Sequence, residues 1–370
     1  MKTILLGAGH IGQTIARQLA ATGDYAITVA DRSAAALDPL AGAGLRTVQM
    51  GDLPSTPQHA AQALQALLQG HETVVNALPY DCAMAVAEAA RAAGCHYFDL
   101  TEDVAATRRI RELAEGAHTA FMPQCGLAPG FVGIVAHDLA SGFDQIFDLK
   151  MRVGALPAFP TNALKYNLTW SVDGLINEYC HPCEAIRDGH RLELLPLEGL
   201  ETFSMDGSEY EAFNTSGGLG TLCETLAGRA HNLDYKSVRY PGHRALVKVL
   251  LDDLGLKHDA PTLKHILQRA VPTTLQDVVL VFVTATGLSA GRFVEKVFAR
   301  KIYSTPDSTT PLSAIQITTA AGLCAVLDLF REGRLAQRGF IRQESVPLAA
   351  FLSNRFGQAY QQLRPVSSVS

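Results

Sequence analysis

The sequence predicts an α/β chain: a doubly wound parallel sheet, followed by an α+β domain with a mostly antiparallel sheet. Three observations predict this. The apolar run Ile4-Leu5-Leu6 leads straight into the glycine pattern GAGHIG at residues 7–12. Short apolar runs then alternate with helical periodicity as far as about residue 123, the pattern of parallel strands joined by helical crossovers. From about residue 145 the texture changes to paired β-rich runs with turn signals between them, which is a hairpin pattern. At 370 residues the chain exceeds the usual single core. It divides into a Rossmann-type first domain (1–124), a second domain (125–335) and a C-terminal segment (336–370) whose helix is expected to pack back on the first domain.

Taken in order, residues 3–6 read as a strand and GAGHIG as a turn. Ile11, Ile15, Ala16 and Leu19 follow at helical spacing. Gly23-Asp24 ends that helix, and 25–31 is the second strand. Strands follow at 45–50, 72–79, 96–100 and 118–123, with helices at 58–69, 81–93 and 102–116. Ligands of such sheets bind outside the carboxyl ends of the strands. The residues there are Asp31, Asp52, Asn76 to Pro79, Thr101 to Asp103 and Cys125 to Leu127, which are expected to line one crevice. In the second domain 144–157 is strand-like, and 183–196 is two β runs across Asp188-Gly189. Residues 278–287 and 291–304 form another hairpin pair. Helices are expected near 171–178, 218–228 and 242–254, then at 313–332 and 346–362, before a disordered Ser-rich tail at 367–370.

The glycine motif has a chemical reading. Gly7 allows the tight turn, Gly9 lets the backbone approach a pyrophosphate, and Gly12 lets helix and strand pack closely. The helix N-terminus then offers free N–H groups and a positive dipole end. Ile11 belongs to the motif, and His10 either caps the turn or faces solvent. Asp31 can accept hydrogen bonds from a ribose diol and would repel a 2′-phosphate, which favours NAD over NADP. Arg32 works against that preference, because an arginine can stack on adenine or hold a 2′-phosphate. Asp52, Asn76, Ala77, Leu78, Pro79, Gly126 and Leu127 complete the predicted cofactor contacts. The alternative is a structural glycine turn; both flanking strands and Asp31 favour the nucleotide.

The bulk numbers exclude other classes. Net charge is −5, with no basic block, so no nucleic-acid partner is expected. The apolar runs are too short to span a bilayer, so no membrane partner is expected. The apolar N-terminus is interrupted at once by Gly7 and Gly9, and the protein reads as cytoplasmic. Seven cysteines, odd in number and scattered, argue against a disulfide framework. Cys180-His-Pro-Cys183 lacks a second ligand pair at similar spacing, so no metal is expected.

Seven segments together resemble the saccharopine dehydrogenase-like family: GAGHIG, NALPY (76–80), HYFDLTED (96–103), CGLAPG (125–130), LTWS (168–171), VRYPGH (238–243) and ITTAAG (317–322). Within that family the chain is most similar to lysine 6-dehydrogenases. Ala128 stands where the saccharopine-forming reductases usually carry aspartate, and TWSVDGLINEY also looks like the lysine enzymes. NTSGGLG (214–220) departs from the family pattern. The resemblance implies NAD-dependent oxidation of the ε-amine of L-lysine, in lysine degradation, by a homodimer or higher homo-oligomer built through the second domain.

That chemistry sets its own demands. Hydride leaves an amine-bearing carbon only if the nitrogen has a free lone pair. A lysine ammonium near pKa ~10.4 leaves only about one molecule in a thousand ready at neutral pH. Lowering that value by about three units costs roughly 4 kcal/mol, which burial and a nearby base can supply. Glu102 is the candidate to bind or deprotonate the amine; its alternative is to satisfy a helix dipole, a role that suits Asp103 better. Arg239 is the candidate carboxylate clamp. His243 is a candidate proton shuttle, or simply structural. Trp170 covers the substrate's aliphatic stem or packs in the core. Tyr179 or Tyr166 can hold the α-amine. Cys125 reads as packing, since hydride transfer needs no nucleophile. Two other readings compete. A saccharopine-type or carboxynorspermidine-type reductase needs more than one cationic clamp, with Arg152, Lys165 and Arg244 as further options. The intact glycines, Asp31, Glu102 and Arg239 argue against a catalytically silent NAD-binding protein, which need not keep polar groups in the crevice.

Overall fold

The computed structural model describes residues 1–54, 56–305 and 311–361. The Ser-rich tail expected at 367–370 lies outside the described residues. The chain forms two compact units: Met1–Phe131 with Thr319–Gln358, and Val132–Thr318 with 359–361.

The first unit alternates as β1 (Lys2–Leu6), α1 (His10–Ala20), β2 (Ala26–Asp31), α2 (Ala34–Ala41), β3 (Arg46–Gln49), α3 (Pro57–Leu68), β4 (Thr73–Asn76), α4 (Ala83–Ala93), β5 (His96–Asp99), α5 (Val104–Ala114) and β6 (Ala120–Met122). The strands are parallel, in the order β3-β2-β1-β4-β5-β6. Apolar strand residues such as Ile4, Leu6, Val74 and Phe121 pack with the buried alanines and Val86 of α4 in one core. Small side chains let α4 lie close to its neighbours. α2 was not anticipated: its short, alanine-rich stretch contains Pro39, and Ser33 caps it by accepting from the Ala36 N–H.

The second unit holds α6 (Phe131–Ser141), which begins at its boundary, then β7 (Gln145–Pro157), α7 (Val172–Cys180), β8 (Cys183–Arg187), β9 (His190–Leu194), β10 (Glu201–Met205), β11 (Ser208–Asn214), α8 (Leu222–Thr225), β12 (Ala230–Arg239), α9 (His243–Lys248), α10 (Ala260–Ala270), β13 (Asp277–Ser289) and β14 (Arg292–Tyr303). Its sheet runs β10-β11-β12-β7-β13-β14, with the β8–β9 hairpin attached to β12. Every pairing is antiparallel except β7 with β12. The Asp188-Gly189 turn forms as expected, both residues at positive φ (49° and 77°), the geometry a two-residue hairpin turn requires. Two expectations change. The helix expected at 218–228 shrinks to α8, hemmed by Gly217, Gly220 and Gly228 at positive φ. The helix at 242–254 becomes α9 followed by a π-helical turn, Val249–Asp253. The β10–β11 hairpin, β12 and α10 were not anticipated.

The chain ends in α11 (Ala314–Arg331), β15 (Gly339–Phe340) and α12 (Leu348–Ser353). α11 is long and apolar enough to cross a membrane, yet 83% of that stretch is buried in protein, as in a core helix. The chain returns to the first unit from Thr319, inside α11, earlier than the 336 boundary expected. The return brings a seventh parallel strand, β15 on β6, as well as a helix. The helix expected at 346–362 is only α12 and a 3₁₀ turn, Gly357–Gln361. Asp328 anchors this return, accepting from Tyr25 Oη (2.8 Å) and Asn354 Nδ2 (2.9 Å).

Candidate functional site

The carboxyl end of the first unit's sheet is built by its turns. Gly7 sits at φ 101°, and a Cβ there would stand 2.6 Å from the Ala77 carbonyl oxygen; one at Gly12 would stand 2.0 Å from the Gly7 carbonyl oxygen. Both glycines are demanded by the fold itself. Gly9 differs: a Cβ there would meet nothing within 4 Å. It caps α1 with no side-chain bond to the first-turn N–H groups, leaving an open cradle at a positive helix end. His10 and Ile11 begin α1, His10 being exposed. These residues fit a dinucleotide pyrophosphate.

Asp31, at the end of β2, holds this turn in place. Its carboxylate accepts from the Ala8 N–H (2.6 Å) and the Ser33 N–H (2.8 Å). Arg32 points into solvent and pairs with Asp52 at 3.3 Å, so these two predicted cofactor residues sit together beyond β2 and β3. Asn76 accepts from the Leu78 N–H at 3.1 Å and shapes the Ala77–Pro79 turn after β4.

Beyond β5 stands Glu102. Asp103 caps α5 by accepting from the Ala106 N–H at 2.6 Å, so the helix does not need Glu102. Among the described residues no other side chain donates to the Glu102 carboxylate. Burial pushes this carboxyl up to about 7, with Asp103 and Asp99 adding to the rise. It can therefore take up and release a proton near neutrality. Gly126 and Leu127 open the turn after β6, where a Cβ on Gly130 would meet the Gly126 carbonyl oxygen at 2.1 Å. Cys125 is buried, with its thiol on the Met122 carbonyl (3.0 Å) and Gln343 Nε2 on its sulfur (3.0 Å). Burial pushes the thiol well above its ordinary range, which agrees with a packing role.

In the second unit, five predicted residues come together. Ser171 caps α7 by accepting from the Gly174 N–H, and α7 carries Glu178 and Tyr179. β12 ends at Arg239, and α9 opens with His243. Arg239 Nε donates to Tyr179 Oη at 2.9 Å, and Nη1 donates to the Val238 carbonyl at 2.8 Å. Nη2 faces Glu178 at 3.9 Å. The guanidinium lies 5.1 Å from the Tyr166 ring centre, and Trp170 Nε1 donates to Tyr166 Oη at 3.2 Å. His243 Nδ1 lies 2.8 Å from the Leu164 carbonyl, which can only accept, so Nδ1 carries the proton. Nε2 then accepts from Tyr179 Oη at 3.0 Å. Burial and the Arg239 charge push His243 down to about 3. Both ring nitrogens are engaged by the protein, Nδ1 on the Leu164 carbonyl and Nε2 on the Tyr179 hydroxyl. Arg239 is 3% exposed, anchored more deeply than a surface clamp.

The other candidate cations have partners within this unit. Arg152 is buried against Glu201 and Asp234, and Asp234 also pairs with Arg187. Arg244 pairs with Glu198 at 2.9 Å, and Lys165 donates to the Pro241 carbonyl. Cys180 and Cys183 are free thiols at the end of α7 and the start of β8. Among the described residues no group of three or more potential metal ligands occurs. Sequence reasoning missed Tyr97, Asp99, Gln124 and Gln343. Only Asp99 carried a signal, a carboxylate closing the apolar strand HYFDL.

Two family models match the chain in succession: the saccharopine dehydrogenase NADP binding domain over residues 3–121 and the saccharopine dehydrogenase C-terminal domain over residues 126–351. Among solved structures, apo histidine-tagged saccharopine dehydrogenase (L-Glu forming) from Saccharomyces cerevisiae is 17% identical, with 97% of this chain and 96% of that chain covered and a TM-score of 0.76. That likeness is one of fold. A C. glutamicum DAP dehydrogenase in complex with DAP shows 12% identity over 95% of each chain, with a TM-score of 0.49. An engineered D-amino acid dehydrogenase bound to NADP+ shows 11% identity over 98% of this chain and 99% of that chain, also at 0.49.

Proposed function

The chain belongs to the saccharopine dehydrogenase family, whose members are pyridine-nucleotide-dependent amino-acid oxidoreductases, and from that premise we propose that it oxidises the ε-amine of L-lysine with NAD. Lysine and water give 2-aminoadipate 6-semialdehyde and ammonia; the semialdehyde then cyclises to piperideine-6-carboxylate. The two electrons leave as hydride for NAD. The observation that carries the reading is Glu102. Its carboxyl sits at the carboxyl end of β5, is held near about 7, and is not needed by the helix that follows. Such a group can take the proton that an ε-ammonium must lose before its carbon gives up hydride. When bound, the nicotinamide accepts that hydride. Water then adds to the iminium and ammonium leaves, while Glu102 gives its proton to solvent, so that the ammonium form of lysine, NAD and water end as semialdehyde, NADH, ammonium and one proton.

Two further observations support the finer choices. Asp31 closes β2 where a ribose diol would lie, which favours NAD over its 2′-phosphorylated form. Arg152 and Arg244 pair directly with carboxylates of their own unit, whereas Arg239 bonds to Tyr179 Oη and stands 3.9 Å from Glu178; we take Arg239, beside Tyr166, Tyr179 and Trp170, as the group that recognises one substrate carboxylate. That suits a mono-carboxylate amino acid better than a two-acid substrate. On the same reading the protein works in the cytoplasm as a homodimer built through the second unit.

The test is NADH formation by the purified protein with NAD and L-lysine at alkaline pH, with L-ornithine, saccharopine and a free diamine in parallel. Turnover on lysine alone, with ammonia released, is the expected result. Turnover on saccharopine without lysine would move the protein to the carbon–nitrogen bond reductases, and silence on all four would sink the amine-oxidising reading.

A further inference from the structure

We propose that Asp99 is the positioning residue of the dinucleotide site, the acceptor that registers the turns after β4, β5 and β6 with one another. This rests on the family's pyridine-nucleotide dependence and not on lysine as the substrate. Asp99 closes β5 and is wholly buried. Its Oδ1 accepts from two backbone donors, the Thr101 N–H at 3.0 Å and the Gln124 N–H at 2.8 Å. Its Oδ2 accepts from Tyr97 Oη at 2.6 Å, and its main-chain oxygen accepts from the Cys125 N–H at 2.8 Å. Tyr97 Oη is in turn reached by Asn76 Nδ2 at 3.5 Å, and Asn76 Oδ1 holds the Leu78 N–H. One buried polar chain therefore runs from the turn after β4, through β5, to the turn after β6. Those turns carry Ala77–Pro79, Glu102 and Gly126–Leu127, and they lie where ligands of parallel sheets bind.

The residue type suits the task. One oxygen must accept two N–H groups while a second accepts a hydroxyl, and a carboxylate has lone pairs enough for all three. Bonds to a charged acceptor are shorter and stronger than neutral ones. One of these bonds holds Gln124, whose φ of 66° is disfavoured for a residue with a side chain. A buried carboxylate is costly unless fully bonded, and here each oxygen is bonded at the place where three turns must agree.

The experiment titrates NADH and ADP-ribose separately into the full-length protein carrying Asp99→Ala, Asp99→Asn or Tyr97→Phe. ADP-ribose reads the Gly7–Gly12 and Asp31 half of the site. NADH adds the nicotinamide, whose reduced ring is uncharged, so a loss reports position and not charge. For Asp99→Ala we expect NADH to weaken about tenfold or more, with ADP-ribose within about twofold. Asp99→Asn keeps an amide oxygen for the same two N–H groups and should restore most of the NADH affinity. A parallel loss of both ligands, no loss of either, or an Asn variant as poor as the Ala variant would overturn the proposal. If Asp99→Ala does not fold, Tyr97→Phe decides: about a threefold loss confined to NADH supports the proposal, and an unchanged NADH affinity overturns it.

Discussion

Tyr179 Oη donates to His243 Nε2 at 3.0 Å while it accepts from Arg239 Nε at 2.9 Å. The direction follows from the far end, where His243 Nδ1–H can only donate to the Leu164 carbonyl. The relay thus runs one way, from a fixed cation through a phenol to a neutral imidazole.

This direction predicts an acid response. His243 is pushed down to about 3 in the folded protein from its ordinary 6.5. Between those values the unfolded chain binds the proton and the folded one does not, so stability falls as pH falls through that window. Urea unfolding at pH 7, 5.5 and 4 should show wild type losing more stability on acidification than His243→Gln. Equal losses would mean that the imidazole is not held neutral.

Glu102 should show the opposite sign. Its folded carboxyl is raised to about 7 from 4.5, so its contribution is greatest at low pH and is lost as pH rises through about 7. At pH 8 the charge on this partly buried group costs the fold on the order of 1 to 3 kcal/mol. Glu102→Gln should therefore melt higher than wild type at pH 8 and equally at pH 4, while turnover falls by about 10² to 10⁴. A variant with lower stability at pH 8, or with full activity, would remove Glu102 from the proposed chemistry.

The glycines of GAGHIG should separate by function. A Cβ on Gly9 meets nothing in the protein, so Gly9→Ala should melt like wild type and bind NADH at least about tenfold more weakly. A Cβ on Gly12 would stand 2.0 Å from the Gly7 carbonyl, so Gly12→Ala should unfold more easily, by more than about 1 kcal/mol. Thermal melts with and without NADH test both. An unaltered NADH affinity in Gly9→Ala would rule out close approach of the pyrophosphate there.

Asp31 holds the Ala8 and Ser33 N–H groups, and on the proposed reading it also binds the ribose. Asp31→Ala should weaken NAD by about tenfold or more and NADP by less, because the mutation removes a bond from one and a repulsion from the other. Equal losses for the two cofactors would leave Asp31 a turn-holding residue alone.

Much of this was legible in advance where the signal is local. β1, GAGHIG, α1 and β2 form within one stretch of chain, and their periodicity and glycines show directly. The hairpin at Asp188-Gly189 is equally local, because two adjacent positive φ values need those residue types. α2, β12 and α10 were missed. α10 does carry local signals, Asp259 accepting from the Thr262 N–H and Pro261 in its first turn, and Ser33 caps α2; β12 is decided by its pairing with β7 and β11.

The polar chains were not legible, because each joins residues far apart in sequence. Gln343 reaches Cys125, Arg239 reaches Tyr179, and Asp99 collects donors from two different turns. By itself the sequence determined the fold class, the nucleotide turn and the candidate residues, since hydrophobic period and glycine placement act over a few neighbours. Only the tertiary structure decided which groups are charged, neutral or free to react. Burial and hydrogen-bond partners set those states, and both exist only once the chain has folded.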